Sequence, residues 1–240
     1  LTASRARFDL DGDGFSDAMF RHDDGSLTAW LMSGAAVRQS VTPTSMYAFW
    51  RLVGAGDFDG DGRSFDLLWV NPNSGGVMVA LNDGATQKGL GSTGVVDPAW
   101  RVGAVADFDA DGRSDVLWID PATGSVTVWL VNRYSVKDVR VVGTIGTDWK
   151  VTGSDDFDGD GKADVLFERA SSFERVLWLM DGLTVRSSFA PASPAGFPWT
   201  TAAAGDFNGD GRMDVMASYM GISFGLLASS GAAFDATSYI

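Results

Sequence analysis

The sequence predicts an all-β fold, because one unit recurs along its whole length and each unit carries several short strand-forming segments. An acidic segment marks each unit. It begins at Asp9, Asp57, Asp107, Asp156 and Asp206, at intervals of 48, 50, 49 and 50 residues. Repeats of this size are typical of solenoids, propellers and arrays. Four short strands per unit indicate a propeller blade, so we predict a β-propeller with five blades of four antiparallel strands.

The segments follow one order in each unit. A stretch of small residues, such as 53–56, precedes the acidic segment and suits an innermost strand, because blades crowd near a propeller axis. Apolar runs such as 67–70 follow, then a Gly-rich turn, a run containing Trp-Leu and a variable polar stretch. The position three residues before the acidic segment is small in every unit: Ala6, Gly54, Ala104, Gly153 and Ala203. We expect a single domain made of units 1–49, 50–99, 100–148, 149–198 and 199–240.

Composition excludes several classes of protein. The chain has 240 residues, no cysteine and one histidine, so it has no disulfide framework, thiolate metal site or zinc site with several histidines. A net charge of −13 argues against nucleic-acid binding. No apolar run approaches the ~18 residues of a membrane helix. No signal peptide is visible at the start of the chain. We expect the protein to be a monomer.

The acidic segment has the spacing of a cation-binding loop. All of its acidic residues are Asp. The whole chain has 29 Asp and only two Glu. In D-x-D-x-D-G-x-x-D, side chains one, three and five of a tight loop can converge, and Gly at position six permits the sharp turn. The carbonyl of residue seven and a carboxylate at position nine complete an all-oxygen set. Such hard ligands favour Ca²⁺ over Mg²⁺, which prefers to keep its waters.

Five sets of ligands follow from this spacing. The side chains are Asp9, Asp11, Asp13 and Asp17; Asp57, Asp59, Asp61 and Asp66; Asp107, Asp109, Asp111 and Asp115; Asp156, Asp158, Asp160 and Asp164; and Asp206, Asn208, Asp210 and Asp214. The carbonyls belong to Phe15, Arg63, Arg113, Lys162 and Arg212. We predict four or five Ca²⁺ ions. The second site is expected to be weakest, because Phe65 is an extra residue that requires a bulge before Asp66.

The alternative is a set of Asp/Gly turns whose carboxylates are solvated. Five loops in register and the charge balance favour metal, since five Ca²⁺ ions would bring the net charge from −13 to −3. Helix-flanked calcium loops are disfavoured, because β-forming runs follow each segment.

At this level of detail the sequence resembles a known family. The repeats DFDGDGRSDVLW and DFDGDGKADVLF resemble FG-GAP repeats, called VCBS repeats in bacterial proteins. The resemblance covers all five units and implies a propeller in which the loop joins the first two strands of a blade and binds Ca²⁺. It also implies an extracellular or cell-surface protein. The five units differ from the seven blades of the integrin propellers, so no integrin contact is transferred.

The leading functional hypothesis is a recognition module for adhesion, binding a glycan or an extracellular protein. A Trp precedes four of the loops by seven residues, and a base follows it in three units. Candidate ligand-binding residues are Trp50, Arg51, Trp100, Arg101, Trp149, Lys150 and Trp199. An aromatic face beside a cation suits a sugar ring, although a repeated Trp more often packs between sheets.

Two further readings remain open. One is an enzyme or enzyme-attached domain acting on carbohydrate, with an Asp pair or with His22 as a base beside two aspartates. A solvated turn is the alternative explanation of His22, because Gly25 follows it closely. The other is a structural scaffold segment of a larger secreted protein. We also expect the repeated Trp30, Trp129 and Trp178 to lie in the core.

Overall fold

The fold is taken from a computed structural model. It describes residues 9–43, 49–63, 66–83, 86–191, 200–219, 223–229 and 234–239. Within these ranges all regular structure is β-strand, in five separate antiparallel sheets. The predicted all-β propeller with five blades is therefore confirmed. None of the described residues forms a helix that is long and apolar enough to cross a membrane.

Each blade is one sheet whose strands follow chain order. The first contains β1 (Ala18–Arg21), β2 (Leu27–Ser33) and β3 (Ala36–Val41); the second β4 (Arg51–Gly56), β5 (Asp66–Val70), β6 (Gly76–Asp83) and β7 (Thr86–Val95); the third β8 (Arg101–Ala106), β9 (Asp115–Ile119), β10 (Ser125–Asn132) and β11 (Ser135–Thr144); the fourth β12 (Trp149–Asp155), β13 (Asp164–Arg169), β14 (Arg175–Asp181) and β15 (Thr184–Phe189); the fifth β16 (Thr200–Gly205), β17 (Asp214–Tyr219), β18 (Ser223–Ser229) and β19 (Phe234–Tyr239). Four blades thus have the predicted four strands. The first has three among the described residues, and the position of its expected inner strand, including Ala6, lies outside them.

The small-residue strands are innermost, as the sequence predicts. Strands β4, β8, β12 and β16 contact one another in that order. A side chain at Gly54 would place Cβ 2.6 Å from Cγ2 of Val105 on the neighbouring inner strand, so crowding accounts for the small residue. Each described inner strand also carries a register shift immediately before this small position. Such bulges bend a strand locally and increase its twist.

The core lies between the blades, where facing sheets bury their apolar side chains. Trp129 and Trp178 belong to it, with exposed fractions of 8% and 6%. Each indole lies against a glycine of the preceding blade's outer strand: a Cβ at Gly94 or Gly143 would lie 3.1 or 2.8 Å from Cη2 of the Trp.

The prediction that Trp30 is a core residue is wrong. Its side chain is 40% exposed and packs beside Phe20, with 4.7 Å between ring centroids. Among the described residues its ring contact is with Phe20 of its own blade, whereas Trp129 and Trp178 each lie against a glycine of the preceding blade.

Candidate metal centres

The acidic loops occupy equivalent places in the blades. Loops 57–65, 107–114, 156–163 and 206–213 each connect an innermost strand to the second strand, as the family resemblance implies, and residues 9–17 precede β1. Counting the first Asp as position one, the backbone has positive φ at positions four and six. The third loop shows this with Ala110 at +60° and Gly112 at +81°. Two left-handed residues in alternate positions close the loop tightly.

The Asp at position one organises its own loop. In the first loop, Oδ1 of Asp9 accepts hydrogen bonds from the N–H groups of Gly12 at 2.8 Å and Asp13 at 3.1 Å. Oδ2 accepts a third bond from Gly14 N–H at 2.8 Å. The Asp at position one in each of the other loops accepts bonds from positions five and six in the same way. A short carboxylate at this position therefore has a backbone partner as well as a possible cation.

The Asp at position nine fastens the loop to the third strand of its blade. Oδ2 of Asp115 accepts a bond from Phe108 N–H at 2.9 Å, and Oδ1 accepts one from Val131 N–H at 2.8 Å. The same pair of bonds, at 2.7 to 3.0 Å, is made by Asp17, Asp66, Asp164 and Asp214. Sequence reasoning considered this residue only as a metal ligand and missed its structural role.

Burial has a strong effect on these closing carboxyl groups. Asp115 and Asp164 are fully buried, and Asp66 is 1% exposed. Removal from water disfavours the charged form and raises the pKa of Asp66, Asp115 and Asp164 to about 7. Burial also raises the pKa of Asp17 and of Asp214. A cation beside these groups would oppose the effect, because it favours the ionised form.

Carboxylate oxygens converge in four of the loops. One oxygen from each member of a triad lies within 4.8 Å of the others in Asp9, Asp11 and Asp13; in Asp57, Asp59 and Asp61; in Asp107, Asp109 and Asp115; and in Asp156, Asp158 and Asp164. Oδ1 of Asp59 is buried and has no hydrogen-bond partner among the described residues. A buried acceptor with no donor is costly by itself and fits a bound cation.

The fifth loop has the same internal bonds despite its Asn. Asp206 Oδ1 accepts from Gly209 N–H at 2.7 Å, and Asp210 N–H donates to Oδ1 of Asn208 at 2.8 Å. Position seven is also regular: Phe15, Arg63, Arg113, Lys162 and Arg212 each donate their N–H to the Asp at position five, at 2.9 to 3.0 Å. The assignment of individual ligands stays a prediction.

The extra residue of the second loop does not displace its closing acid. Asp66 accepts from Phe58 N–H at 2.8 Å and from Asn82 N–H at 2.7 Å, as its counterparts do. Phe65 and the expected bulge lie outside the described residues. The weaker second calcium site therefore stays a prediction.

A base on the outermost strand accompanies four of the loops, and sequence reasoning missed it. Lys137 Nζ lies 3.1 Å from Oδ2 of Asp109 and also contacts Asp111. The corresponding bases are Arg38, Lys88 and Arg186, each in contact with the acids at positions three and five of its own blade. The fifth blade has Asn208 at position three, and its outer strand Phe234–Tyr239 contains no Lys or Arg. In the sequence, this pairing could have been recognised from a Lys or Arg that recurs about 28 residues after position three.

Three of the loops, the second, third and fourth, are also bonded to the following blade. The carbonyl of Asp57 accepts a bond from Ser114 N–H at 2.6 Å, and that of Asp107 accepts one from Ala163 N–H at 2.7 Å. The equivalent bond from Met213 to Asp156 measures 2.9 Å. The loops are therefore junctions between blades, and spacing alone did not reveal these contacts.

The predicted ligand-binding residues lie at the other end of the inner strands. Trp50, Trp100 and Trp149 are half-buried and pack against three different interblade clusters. This placement supports the packing interpretation of the repeated Trp. Trp199 lies outside the described residues.

The bases beside these tryptophans differ from one another. Lys150 Nζ lies 3.2 Å from Oε1 of Glu168, and the guanidinium of Arg169 covers the Trp149 ring at 4.7 Å. Arg51 and Arg101 are exposed, and among the described residues neither has a carboxylate oxygen within the 4.0 Å of an ion pair. The second and third blades thus present free cations where the fourth presents a neutralised one.

His22 occupies an exposed turn between β1 and β2. Its Nε2 lies 2.8 Å from Oγ1 of Thr28, and its backbone bonds to Ser26 and Gly25 close the turn. This is the solvated-turn arrangement considered for the residue.

Comparison with known proteins identifies the repeat and the fold. The model of the FG-GAP-like repeat family matches residues 107–167 and 156–217. No curated protein matches the sequence significantly. Among solved structures, the chain is similar to part of the Photorhabdus luminescens Tc holotoxin pore, at a TM-score of 0.62 and 17% identity over 100% of this chain and 12% of that chain.

Two further structures resemble it. A luciferin-regenerating enzyme gives a TM-score of 0.60 and 10% identity, covering 99% of this chain and 75% of that one. A Lactobacillus plantarum protein gives 0.52 and 16%, covering 93% and 67%. Similarity at this level of identity concerns the fold alone.

Proposed function

Because the chain is a β-propeller of FG-GAP-like repeats, we propose that it is an extracellular recognition module whose acidic loops bind Ca²⁺. FG-GAP repeats are typical of extracellular proteins, where Ca²⁺ is abundant. The convergence of carboxylate oxygens within 4.8 Å in four loops carries the proposal. The fifth loop, with Asn208 as an oxygen donor, completes a set of four or five sites.

Electrostatics supports a cation in these loops. Each triad places like charges close together; the outer-strand base offsets part of their repulsion in four blades, and a bound cation would offset the rest. Bound Ca²⁺ would supply two positive charges to an all-oxygen cage. The residues of this chain supply the rest: position one fixes the loop, position nine fastens it to the third strand, and position three presents an oxygen such as Oδ1 of Asp59.

The ion would act on the propeller as a whole. Since the backbone of the second, third and fourth loops bonds to the next blade, a cation that rigidifies one of these loops also strengthens one interblade junction. The recognition surface would then depend on calcium through its scaffold, without direct contact between ion and ligand.

Calorimetric titration of metal-stripped protein tests the metal assignment. We expect four or five Ca²⁺ ions per chain, with dissociation constants of about 10⁻⁴–10⁻³ M as in extracellular modules. The melting temperature should fall in EDTA and recover with Ca²⁺ but poorly with Mg²⁺. Two or fewer sites, or an unchanged melting curve, would mean that the loops are acidic turns.

A further inference from the structure

A groove between the second and third blades combines cations with flat apolar walls. It has a cavity volume of about 220 Å³ and is lined by Arg51, Val53, Val70, Pro72, Pro98, Trp100, Arg101, Val102 and Trp118. None of these residues is acidic. In a chain of net charge −13, a groove with two cations and no acid is an unusual local environment.

Among the residues that the structure describes, the two arginines at this groove have no carboxylate partner, whereas most of the other bases have one. Eleven described Lys and Arg side chains have a carboxylate oxygen within 4.0 Å. Arg51 and Arg101 are not among them. The nearest acid in sequence, Asp97, turns its Oδ1 to the N–H of Ala99 at 2.9 Å. Two exposed guanidinium groups on one small groove therefore have their full hydrogen-bonding capacity available.

The groove also contains an unpaired donor. Trp118 forms part of its lining and is fully buried, and its Nε1–H has no hydrogen-bond partner among the described residues. A buried N–H without an acceptor is unfavourable, as it is for Trp69 at the equivalent position of the second blade, and a ligand oxygen would relieve that cost at Trp118 once the floor of the groove opens to admit it. In the fourth blade the equivalent residue is Phe167, which shows that the fold accepts a ring without this donor.

From these contacts we propose that the groove binds a carboxylate-bearing sugar, with Arg51 and Arg101 holding the carboxylate. Arginine pairs with carboxylates through two parallel hydrogen bonds. Trp100, Pro72 and Pro98 offer apolar surface to the C–H face of a ring. The volume is below the ~300–1,000 Å³ of drug-sized sites, which limits the occupant to about one ring. The inference rests on the proposed role as a recognition module, and none of the groove residues is one of the proposed calcium ligands.

A peptide fits the groove less well than a sugar. An extended peptide binds by adding a strand to a row of unpaired backbone groups. Strands β4 and β8 are edge strands of their sheets, but the groove is lined by side chains of residues paired on the other edge, with Arg51 opposite Val70 and Val102 opposite Trp118. Recognition therefore depends on side chains, which suits a compact ring.

The two sites are separated in space. Arg51 and Arg101 begin inner strands whose last residues, Gly56 and Ala106, adjoin the loops. Five residue steps at ~3.3 Å put the Cα atoms of the two arginines about 17 Å from the strand ends that adjoin the loops. Substitutions in the groove should therefore leave calcium binding unchanged, so failure of one proposal can be told from failure of the other.

The experiment measures binding of methyl galacturonoside and methyl galactoside by NMR titration, in both Ca²⁺ and EDTA. We expect the uronate to bind at least tenfold more tightly than the neutral sugar, and its affinity to fall as NaCl is raised. Arg51→Gln and Arg101→Gln should each weaken uronate binding at least tenfold, and Trp118→Phe several-fold. Calcium stoichiometry measured on the same variants reports separately on the loops.

Two matched variants control for charge and ring. Arg140→Gln removes an equally exposed arginine from the outer strand of the third blade, and Trp69→Phe makes the same ring change in the second blade, away from the groove lining. Both should bind the uronate like the parent. Equal binding of methyl galactoside, equal binding of N-acetylglutamate as a peptide-type carboxylate, an Arg140→Gln effect as large as that of Arg51→Gln, or no uronate binding would each overturn the proposal.

Discussion

The closing aspartates should give the metal-free protein a pH dependence opposite to that of the calcium-loaded protein. Burial raises the pKa of Asp115 from 3.8 to about 7. A carboxyl group whose pKa is higher in the folded state contributes full stability below its unfolded pKa and loses it as pH rises through its folded pKa. In EDTA the free energy of unfolding should therefore decrease between about pH 4 and pH 7.

The size of the effect follows from the shift and the burial. A shift of one pKa unit corresponds to ~1.4 kcal/mol. The rise in the pKa of Asp115 from 3.8 to about 7 therefore sets a ceiling of about 4 kcal/mol on its contribution to the free energy of unfolding. Asp66 and Asp164, whose pKa is also raised to about 7, act in the same direction. With saturating Ca²⁺ the ionised form is favoured, so stability should instead rise over the same pH interval.

Asp115→Asn isolates one group. The amide keeps one acceptor for Phe108 or Val131 N–H but leaves the other unpaired, at a cost of about 1–3 kcal/mol. In EDTA at pH 8 that cost is offset by removal of a buried charge, whereas in Ca²⁺ the variant also loses a carboxylate. We expect a clearly larger destabilisation in Ca²⁺ than in EDTA, and a shallower pH slope in EDTA.

Urea unfolding from pH 4 to pH 8, with and without Ca²⁺, measures both effects. Asp23→Asn, in an exposed turn, is the matched control and should keep the parent slope. Metal-free stability that rises from pH 4 to pH 7, or an unchanged slope in Asp115→Asn, would refute the reasoning.

Three further predictions use the internal repeats as controls. Lys137→Gln removes a cation that contacts two loop acids, so Ca²⁺ affinity of the third loop should rise several-fold by titration, while the fifth loop, which has no such base, stays unchanged. Ala110→Gly relieves a left-handed alanine and should stabilise by about 0.5–1 kcal/mol in urea unfolding, whereas Gly209→Ala, at φ +78°, should destabilise by a similar amount. Arg175→Val leaves Glu168 buried with a weaker partner and should cost about 3–5 kcal/mol, but the double change with Glu168→Val should cost less, and additive losses would contradict that coupling.

Much of the fold was predictable because the residues that determine each blade recur in every repeat. Spacing between the acidic segments sets the number of blades, and crowding at the axis selects small residues at Gly54 and its counterparts. Interpretation of Trp30 from its repeat partners failed, because burial of an indole depends on the neighbouring blade and not on its own unit. A periodic sequence therefore predicts the strands within a blade better than the contacts between neighbouring blades.

The loops show the same limit. The spacing of the oxygen ligands could be recognised in the sequence, but the bond between Asp115 and Val131 N–H depends on β10 lying beside the loop. The pairing of Lys137 with Asp109 spans 28 residues and two strands. Contacts of this kind become visible only after the strand register is known, since sequence separation does not reveal which side chains share a face.

The backbone bonds between loops have a direction that sets the true unit of assembly. Every described bond of this class runs from position eight of one loop back to position one of the loop before it. The segment that contains both partners of such a bond therefore begins and ends in different places from the repeat unit of the sequence. Cutting the chain at a repeat boundary separates the carbonyl acceptor from its N–H donor. A substitution that disrupts one loop should therefore first affect the blade that follows it. A grafted or shuffled unit that keeps such a bond must therefore run from position one of one loop to position eight of the next, which is longer than one repeat.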